Sequence, residues 1–308
     1  MASCLVIGGN GFLGSHLVDE LVARGHEVTA FDRFTAATEN YTATGVRKFV
    51  GDYLSNVDLS AALHGQEYLF HFLSTTSPFT VEDDPTLDVR TNVMPSVDLF
   101  ELAVQAGVSR VYFASTGGAV YGNQSAQRIT EETLPAPVSP YAIGKQTIEG
   151  YLRYFRLKHG LESVTFRISN PYGPRQHPGR KQGVIPIFLH RIAAGDPVEF
   201  FGDGSMVRDY IFVGDAVRMI AEAVGRETDH DVYNVGSGVG STLSRVLELA
   251  ETVTGRSVEV CRQPQPATFV QRSVLDIGRY TAEFGQQRFV SLRDGMELTW
   301  HSMRERLS

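Results

Sequence analysis

Six short runs rich in β-branched and aromatic residues recur through the first two thirds of the chain, and they constrain its fold more than any other feature. They are CLVIGG from Cys4, EVTAFD from Glu27, RKFVGD from Arg47, EYLFHFLS from Glu67, RVYFAST from Arg110 and SVTFRISN from Ser163. Each is long enough for a buried strand, and the spacers between them are long enough for helices. Strands that alternate with helices imply βαβ units, hence a parallel sheet covered on both faces in a doubly wound α/β fold. After Asn170 the texture changes. PYGPRQHPGRKQG reads as a loop, VIPIFLHRIAAG as a helix, PVEFFGDGS as a strand and turn, and DVYNVGSG as one more sheet strand. Helices are expected at about 241–254 and 291–306. The spacing predicts a first domain over 1–170, with about 208–238 returning to it, and a smaller α/β lobe over 171–207 and 239–308.

Composition removes several function classes. The 308 residues carry 28 Lys and Arg against 35 Asp and Glu, a net charge of −7, which argues against sequence-independent binding to nucleic acid. The two cysteines, Cys4 and Cys261, form neither a metal-ligand pattern nor a disulfide framework. No metal site is expected. MASCLVIGGNGF has no basic segment before its apolar run, and no window reaches the about 18 apolar residues of a spanning helix. The expectation is a cytoplasmic protein with no membrane contact.

VIGGNGFLGSHLVDEL sets Gly8, Gly11 and Gly14 three apart, directly after a predicted strand and at the start of a helix. Glycine permits a tight turn and close approach to a pyrophosphate, and the helix N-terminus offers free N–H groups and partial positive charge. The second strand ends at Asp32, where a carboxylate can bind an adenosine ribose diol and repel a 2′-phosphate. That favours NAD over NADP. Arg33 beside it leaves the second cofactor open, because a guanidinium can bind the same phosphate. Asp52, after the third run, is either an adenine contact or a turn residue.

SPYAIGKQTIEG places Tyr141 and Lys145 four apart, on one face of a helix. An ammonium held beside a phenol stabilises the phenolate, which would make the tyrosine a general base near neutral pH. Ser115 and Thr116 end the fifth run, at the sheet edge where doubly wound folds bind ligands. His71, mid-run in LFHFL, reads as a buried imidazole rather than a ligand, and His177, Arg180 and Lys181 form a basic loop.

GGNGFLG, STGGAVYG, YAIGK, RISNPYGPRQ, GDGSMVRDYIFVGD, YNVGSG and RSVLD together resemble the extended short-chain dehydrogenase/reductase family across nearly the whole chain. The resemblance implies a Rossmann-type NAD-binding domain and a smaller C-terminal substrate lobe. It makes Tyr141 the catalytic base, Lys145 its electrostatic and ribose-binding partner, and Thr116 or Ser115 the hydroxyl that polarises the reacting sugar oxygen. It also places Asn10, Phe12, Leu13, Leu73 and Ser74 against the cofactor. Asn170, Arg208 and Arg272 become contacts to a nucleotide-diphosphate sugar, most simply a UDP-hexose. One departure is Pro266, where relatives often carry a further diphosphate-binding arginine; Arg262 is a candidate substitute.

Sugar dehydratases of this resemblance carry an Asp-Glu pair after the active-site threonine, whereas here Gly117, Gly118 and Ala119 follow Thr116. One base, one hydroxyl and NAD suffice for epimerisation at C4 through a 4-keto sugar. The alternatives are a reductase, dehydrogenase or dehydratase of the same family, or a non-catalytic dinucleotide-binding protein. By the same resemblance Ser273 faces C2 of the hexose and, being small, would admit an acetamido group. Apolar residues around the helix after Tyr141, including Ile148, Tyr151, Leu152, Tyr154 and Phe155, exceed what one sheet face requires and point to a homodimer.

Overall fold

A computed structural model describes residues 1–35, 38–77, 80–81, 84–177, 179, 183–266 and 269–307. In chain order the strands are β1 (Ser3–Ile7), β2 (Glu27–Asp32), β3 (Arg47–Val50), β4 (Tyr68–His71), β5 (Arg110–Thr116), β6 (Glu162–Ile168), β7 (Asn170–Tyr172), β8 (Val198–Phe201), β9 (Val207–Phe212), β10 (Val232–Val235), β11 (Gly240–Thr242), β12 (Val260–Gln263) and β13 (Arg272–Ser273). The helices are α1 (Phe12–Ala23), α2 (Asn56–Leu63), α3 (Pro85–Asp88), α4 (Met94–Ala106), α5 (Pro140–His159), α6 (Val184–Ala194), α7 (Val213–Glu222), α8 (Leu243–Thr254), α9 (Gly278–Phe284) and α10 (Leu292–Leu307). A π turn, Val89–Val93, joins α3 to α4.

The chain divides into two compact units. One comprises 1–116, 139–167 and 217–233, the other 117–138, 168–216 and 234–308. The segment 117–138 thus goes with the second unit, and the returning segment is shorter than 208–238. The first unit is built on a seven-stranded parallel sheet in the order β10-β6-β5-β4-β1-β2-β3. From β1 the chain runs outward through β2 and β3, then returns to the other side of β1 for β4, β5 and β6. This reversal falls between β1 and β4, and the carboxyl ends of the strands at such a switch point are where doubly wound sheets bind ligands. Ile7 pairs with both Phe31 and His71, so three strands end level at that edge.

The sheet's apolar strands are buried because helices cover them. Leu5, Ile7, Phe31, Leu69, Val111 and Phe113 from the strands join Leu99, Phe100, Ile148, Leu152 and Phe155 from α4 and α5 in one core. Helix α5 has strong local signals. Ser139 accepts from Ala142 N at its start, Pro140 takes the first position, and Gly160 closes it at φ 69°. Arg156, Lys158 and His159 in its last turn complement the helix dipole.

In the second unit β9 is the organising strand. It pairs antiparallel with β11 and parallel with β7 and β13, while β8 and β12 form a separate parallel pair. Its core gathers Tyr172, Ile185, Phe188, Leu189, Phe200, Val246 and Met296 from β7, β8, α6, α8 and α10. No helix among the described residues is long and apolar enough to cross a membrane.

Candidate active site

The glycine loop closes tightly on itself at the end of β1. Gly8 takes φ 84°, and both its N–H and that of Gly9 donate to Phe31 O, at 2.9 and 3.1 Å. A Cβ on Gly14 would lie 2.0 Å from Gly8 O, and one on Gly8 would lie 3.0 Å from the Leu73 backbone. Backbone excludes a side chain at Gly14, and at Gly8 the positive φ and the close Leu73 backbone disfavour one. No side chain caps α1, and the N–H groups of Phe12 and Leu13 meet no acceptor among the described residues. This is an open donor set for an anion at a helix N-terminus. Asp32 stands at its rim, where Oδ2 accepts from Asn10 N at 3.1 Å and Oδ1 from Arg33 N at 2.8 Å. The Asn10 side chain is engaged elsewhere, accepting from Asn40 N at 2.7 Å.

The remaining residues expected around the cofactor have simpler surroundings. Arg33 is exposed, and so is Asp52, whose Oδ1 accepts from Leu54 N at 3.0 Å as a turn residue does. Leu73 is half-buried after β4, and the Ser74 hydroxyl donates to Thr76 O at 2.9 Å. The cradle, its free N–H groups and the rim carboxylate together fit a dinucleotide diphosphate and its adenosine ribose.

At the carboxyl end of β5 the proposed acid/base residues come together. Lys145 is buried; its Nζ donates to Ala114 O at 2.9 Å, 5.9 Å from the Tyr141 ring centre and 4.8 Å from that of Phe113. Burial pulls the ammonium down to about 8, against the opposing charges of Asp88 and Glu149. The phenol behaves differently from the simple expectation. Within the chain itself, burial and then the Asp88 carboxylate push Tyr141 above its ordinary value, so the nearby ammonium alone does not produce a phenolate.

Ser115 and Thr116 are both buried but differ in their partners. Ser115 Oγ donates to Glu149 Oε1, whereas the Thr116 hydroxyl makes no hydrogen bond to any described residue. Glu149 also receives Arg167, with Nη2 on Oε2 at 2.7 Å and Nε on Oε1 at 3.2 Å. Glu149, Arg167 and Asp88 carry no motif and were not expected at the site. A signal for the first was present, since Glu149 lies four residues after Lys145 and so on its helix face. His71 is buried, as expected of a core imidazole. Its Nε2 meets Ser96 Oγ at 2.8 Å, Nδ1 has no hydrogen-bond partner among the described residues, and burial followed by Lys145 holds it well below its ordinary pKa.

In the second unit, β9 and its neighbours collect the residues expected to hold substrate. Arg208 on β9 pairs in register with Ser273 on β13 and Ser241 on β11, and Asn170 on β7 pairs with Tyr210. Arg208 Nη1 donates to Val207 O at 2.9 Å, and burial lowers its pKa. Asn170 Nδ2 donates to Asp209 O at 3.1 Å. Arg272 is half-buried and reaches Gln127 O at 3.3 Å through Nε and Nη2. Ser273 is 2% exposed, and its hydroxyl donates to Gly117 O at 3.2 Å. Arg262 lies over the Phe200 ring and donates to Gly202 O at 3.1 Å. In the basic loop His177 is exposed, and Arg180 and Lys181 lie outside the described residues. Sequence reasoning missed Asp209, fully buried, which accepts from Ser237 N, Gly238 N and Leu275 N and so ties three segments of this unit together.

Residues 4–236 match the model of the NAD dependent epimerase/dehydratase family. The chain belongs to that family. It is similar to a UDP-glucose 4-epimerase of Mycolicibacterium smegmatis, with 36% identity over 301 residues and 96% of each chain covered. It also resembles the UDP-glucose 4-epimerase of Thermotoga maritima, solved with UDP-glucose, at TM-score 0.93 and 35% identity over 99% of this chain and 100% of that one. The UDP-glucose 4-epimerase of Thermus thermophilus, solved with NAD, matches at TM-score 0.91 and 35% identity, covering 98% and 99%. This epimerase/dehydratase family member is therefore a nucleotide-sugar-modifying enzyme whose cofactor is NAD.

Proposed function

We propose that the chain interconverts nucleotide-diphosphate hexoses by epimerisation at C4. The observation that carries this reading is an intact Tyr141, Lys145 and Thr116 followed by Gly117, Gly118 and Ala119, with no carboxylate where a dehydratase needs its extra acid and base. NAD, held by the Gly8 to Gly14 cradle and Asp32, supplies the acceptor and donor of hydride at C4. Tyr141 takes the proton of the 4-hydroxyl and gives it back to the opposite epimer, so it must serve as base and acid in one turnover. A raised phenol pKa suits the returning step, and the Lys145 ammonium favours the outgoing one. Thr116 is the hydroxyl that holds O4, because Ser115 is committed to Glu149. Arg208 and Arg272 hold the diphosphate, a task suited to the planar guanidinium fork.

Several narrower proposals follow. Ser273 leaves room at C2, so UDP-N-acetylglucosamine is turned over alongside UDP-glucose. Exposed Ile143, Tyr151, Tyr154 and Leu157 on α5 support a homodimer through that helix; Ile148, Leu152 and Phe155 instead face the core. A reducing, cytoplasmic setting agrees with Cys4 and Cys261 both being free thiols.

The test is turnover of a UDP-, dTDP- and GDP-sugar panel by wild type, Tyr141→Phe and Ser273→Tyr. Tyr141→Phe should lose about 10²–10⁴ in rate with NAD binding intact. Dehydration, or net reduction consuming one NADH per sugar, would reject epimerisation. An equal loss of both sugars in Ser273→Tyr would make Ser273 an anchor for the Gly117 loop rather than a gate.

A further inference from the structure

A carboxylate outside every motif lies against the helix that carries Tyr141 and Lys145. Asp88 ends α3 directly before the π turn and is 2% exposed. Both hydrogen bonds it accepts go to Oδ1, one from Thr76 Oγ1 and one from Asn92 Nδ2 at 2.8 Å. Asn92 also donates to Thr76 Oγ1 at 2.9 Å and accepts from Thr75 N at 2.9 Å, so the clamp is itself held in place. Asn92 belongs to the π turn, an irregularity that is frequent at functional sites.

Oδ2 receives no donor among the described residues, and it faces the α5 backbone. A Cβ built on Gly144 would lie 1.7 Å from Oδ2, so only glycine admits the carboxylate there. Gly144 stands between Tyr141 and Lys145 in the chain. The donors on Oδ1 are neutral, so the charge of Asp88 is not cancelled by its own hydrogen bonds. Glu149, the other carboxylate that acts on Lys145, is paired with Arg167 at 2.7 Å.

We propose that Asp88 is a positioning residue for the reaction: its fixed negative charge, seated on α5 at Gly144, sets the charge balance of the Tyr141–Lys145 pair. This rests on the assignment of that pair as the acid/base machinery. The electrostatics agree in direction. Asp88 is the larger of the two charges that oppose the fall of Lys145 to about 8, and it adds to burial in raising Tyr141. From β4, His71 faces Lys145 and stays neutral. Tyr53, after β3, is raised by burial and also feels Asp88, so it stays protonated. On the Asp88 side of the helix, Arg90 and Asp84 pair with each other at the surface at 2.8 Å. His71, held low, and Tyr53, held high, therefore both stay uncharged over the range in which Lys145 titrates.

The experiment is a pH titration of the Lys145 ε-carbon by NMR in the full chain, the resonance identified by its loss in Lys145→Arg. Asp88→Asn keeps the side-chain shape and removes the charge. The Lys145 midpoint, near 8 in the wild type, should fall by about one pH unit. The pH profile of kcat should move to lower pH on both limbs, because loss of a negative charge favours neutral amine and phenolate alike. An unchanged midpoint with a lowered Tm or kcat would show a packing role only and overturn the proposal. If Asp88→Asn does not fold, Gly144→Ala, which displaces the carboxylate and keeps its charge, is read by the same criterion. A midpoint that moves in a protein without epimerase activity supports Asp88 while rejecting the epimerase. An active epimerase whose midpoint does not move rejects Asp88 alone.

Discussion

Replacing Glu149 with glutamine should destabilise the first unit far more than its single lost charge suggests. The carboxylate and its partner Arg167 have side chains only 10% and 8% exposed, so solvent cannot replace either. The amide cannot reproduce the observed contacts. With its nitrogen at the Oε2 position it faces Arg167 Nη2, donor against donor; at the Oε1 position it faces Nε and forces Ser115 to accept rather than donate. Removing one partner of a buried pair costs about 3–5 kcal/mol, and glutamine, which keeps the volume and one acceptor, belongs at about 3 kcal/mol. Denaturant midpoints at constant slope measure the loss. Glu149→Leu combined with Arg167→Met should recover much of it, because the pair gives way to apolar packing. A loss under about 1 kcal/mol is the value of an exposed pair and would refute the claim that this one is sealed from water. In the folded variant Lys145 should titrate lower still, since Glu149 is one of the two charges that hold it up.

Three further outcomes are expected. Thr116→Val should lower turnover by about 10²-fold or more, as loss of one positioned donor does, while Ser115→Ala stays within about tenfold; the reverse order would move the reacting hydroxyl to Ser115. Asp32→Ala should weaken NAD and relax discrimination against NADP in calorimetric titration, because the repulsive carboxylate is gone; a wild type that already prefers NADP would make Arg33 the reader. Gly14→Ala must open the loop, since its methyl would sit 2.0 Å from Gly8 O; NAD affinity unchanged in that variant would disconnect the loop from the cofactor.

The alternation of apolar runs with helical spacers determined the seven-stranded parallel sheet, because strand and helix periods are local and a parallel pair can be joined only by a crossover. The glycine loop and the shared face of Tyr141 and Lys145 were legible for the same reason. They depend on residues within a few positions of each other, where chain geometry leaves few choices. What surrounds that pair was decided by the tertiary structure. Asp88 reaches Gly144 from 56 positions away in the chain, Ser115 meets Glu149 across 34 positions, and Ser273 meets Gly117 across 156. Burial and charge are sums over such distant neighbours. A four-residue spacing could therefore place an ammonium beside a phenol, but it could not reveal that burial and Asp88 would leave that phenol protonated.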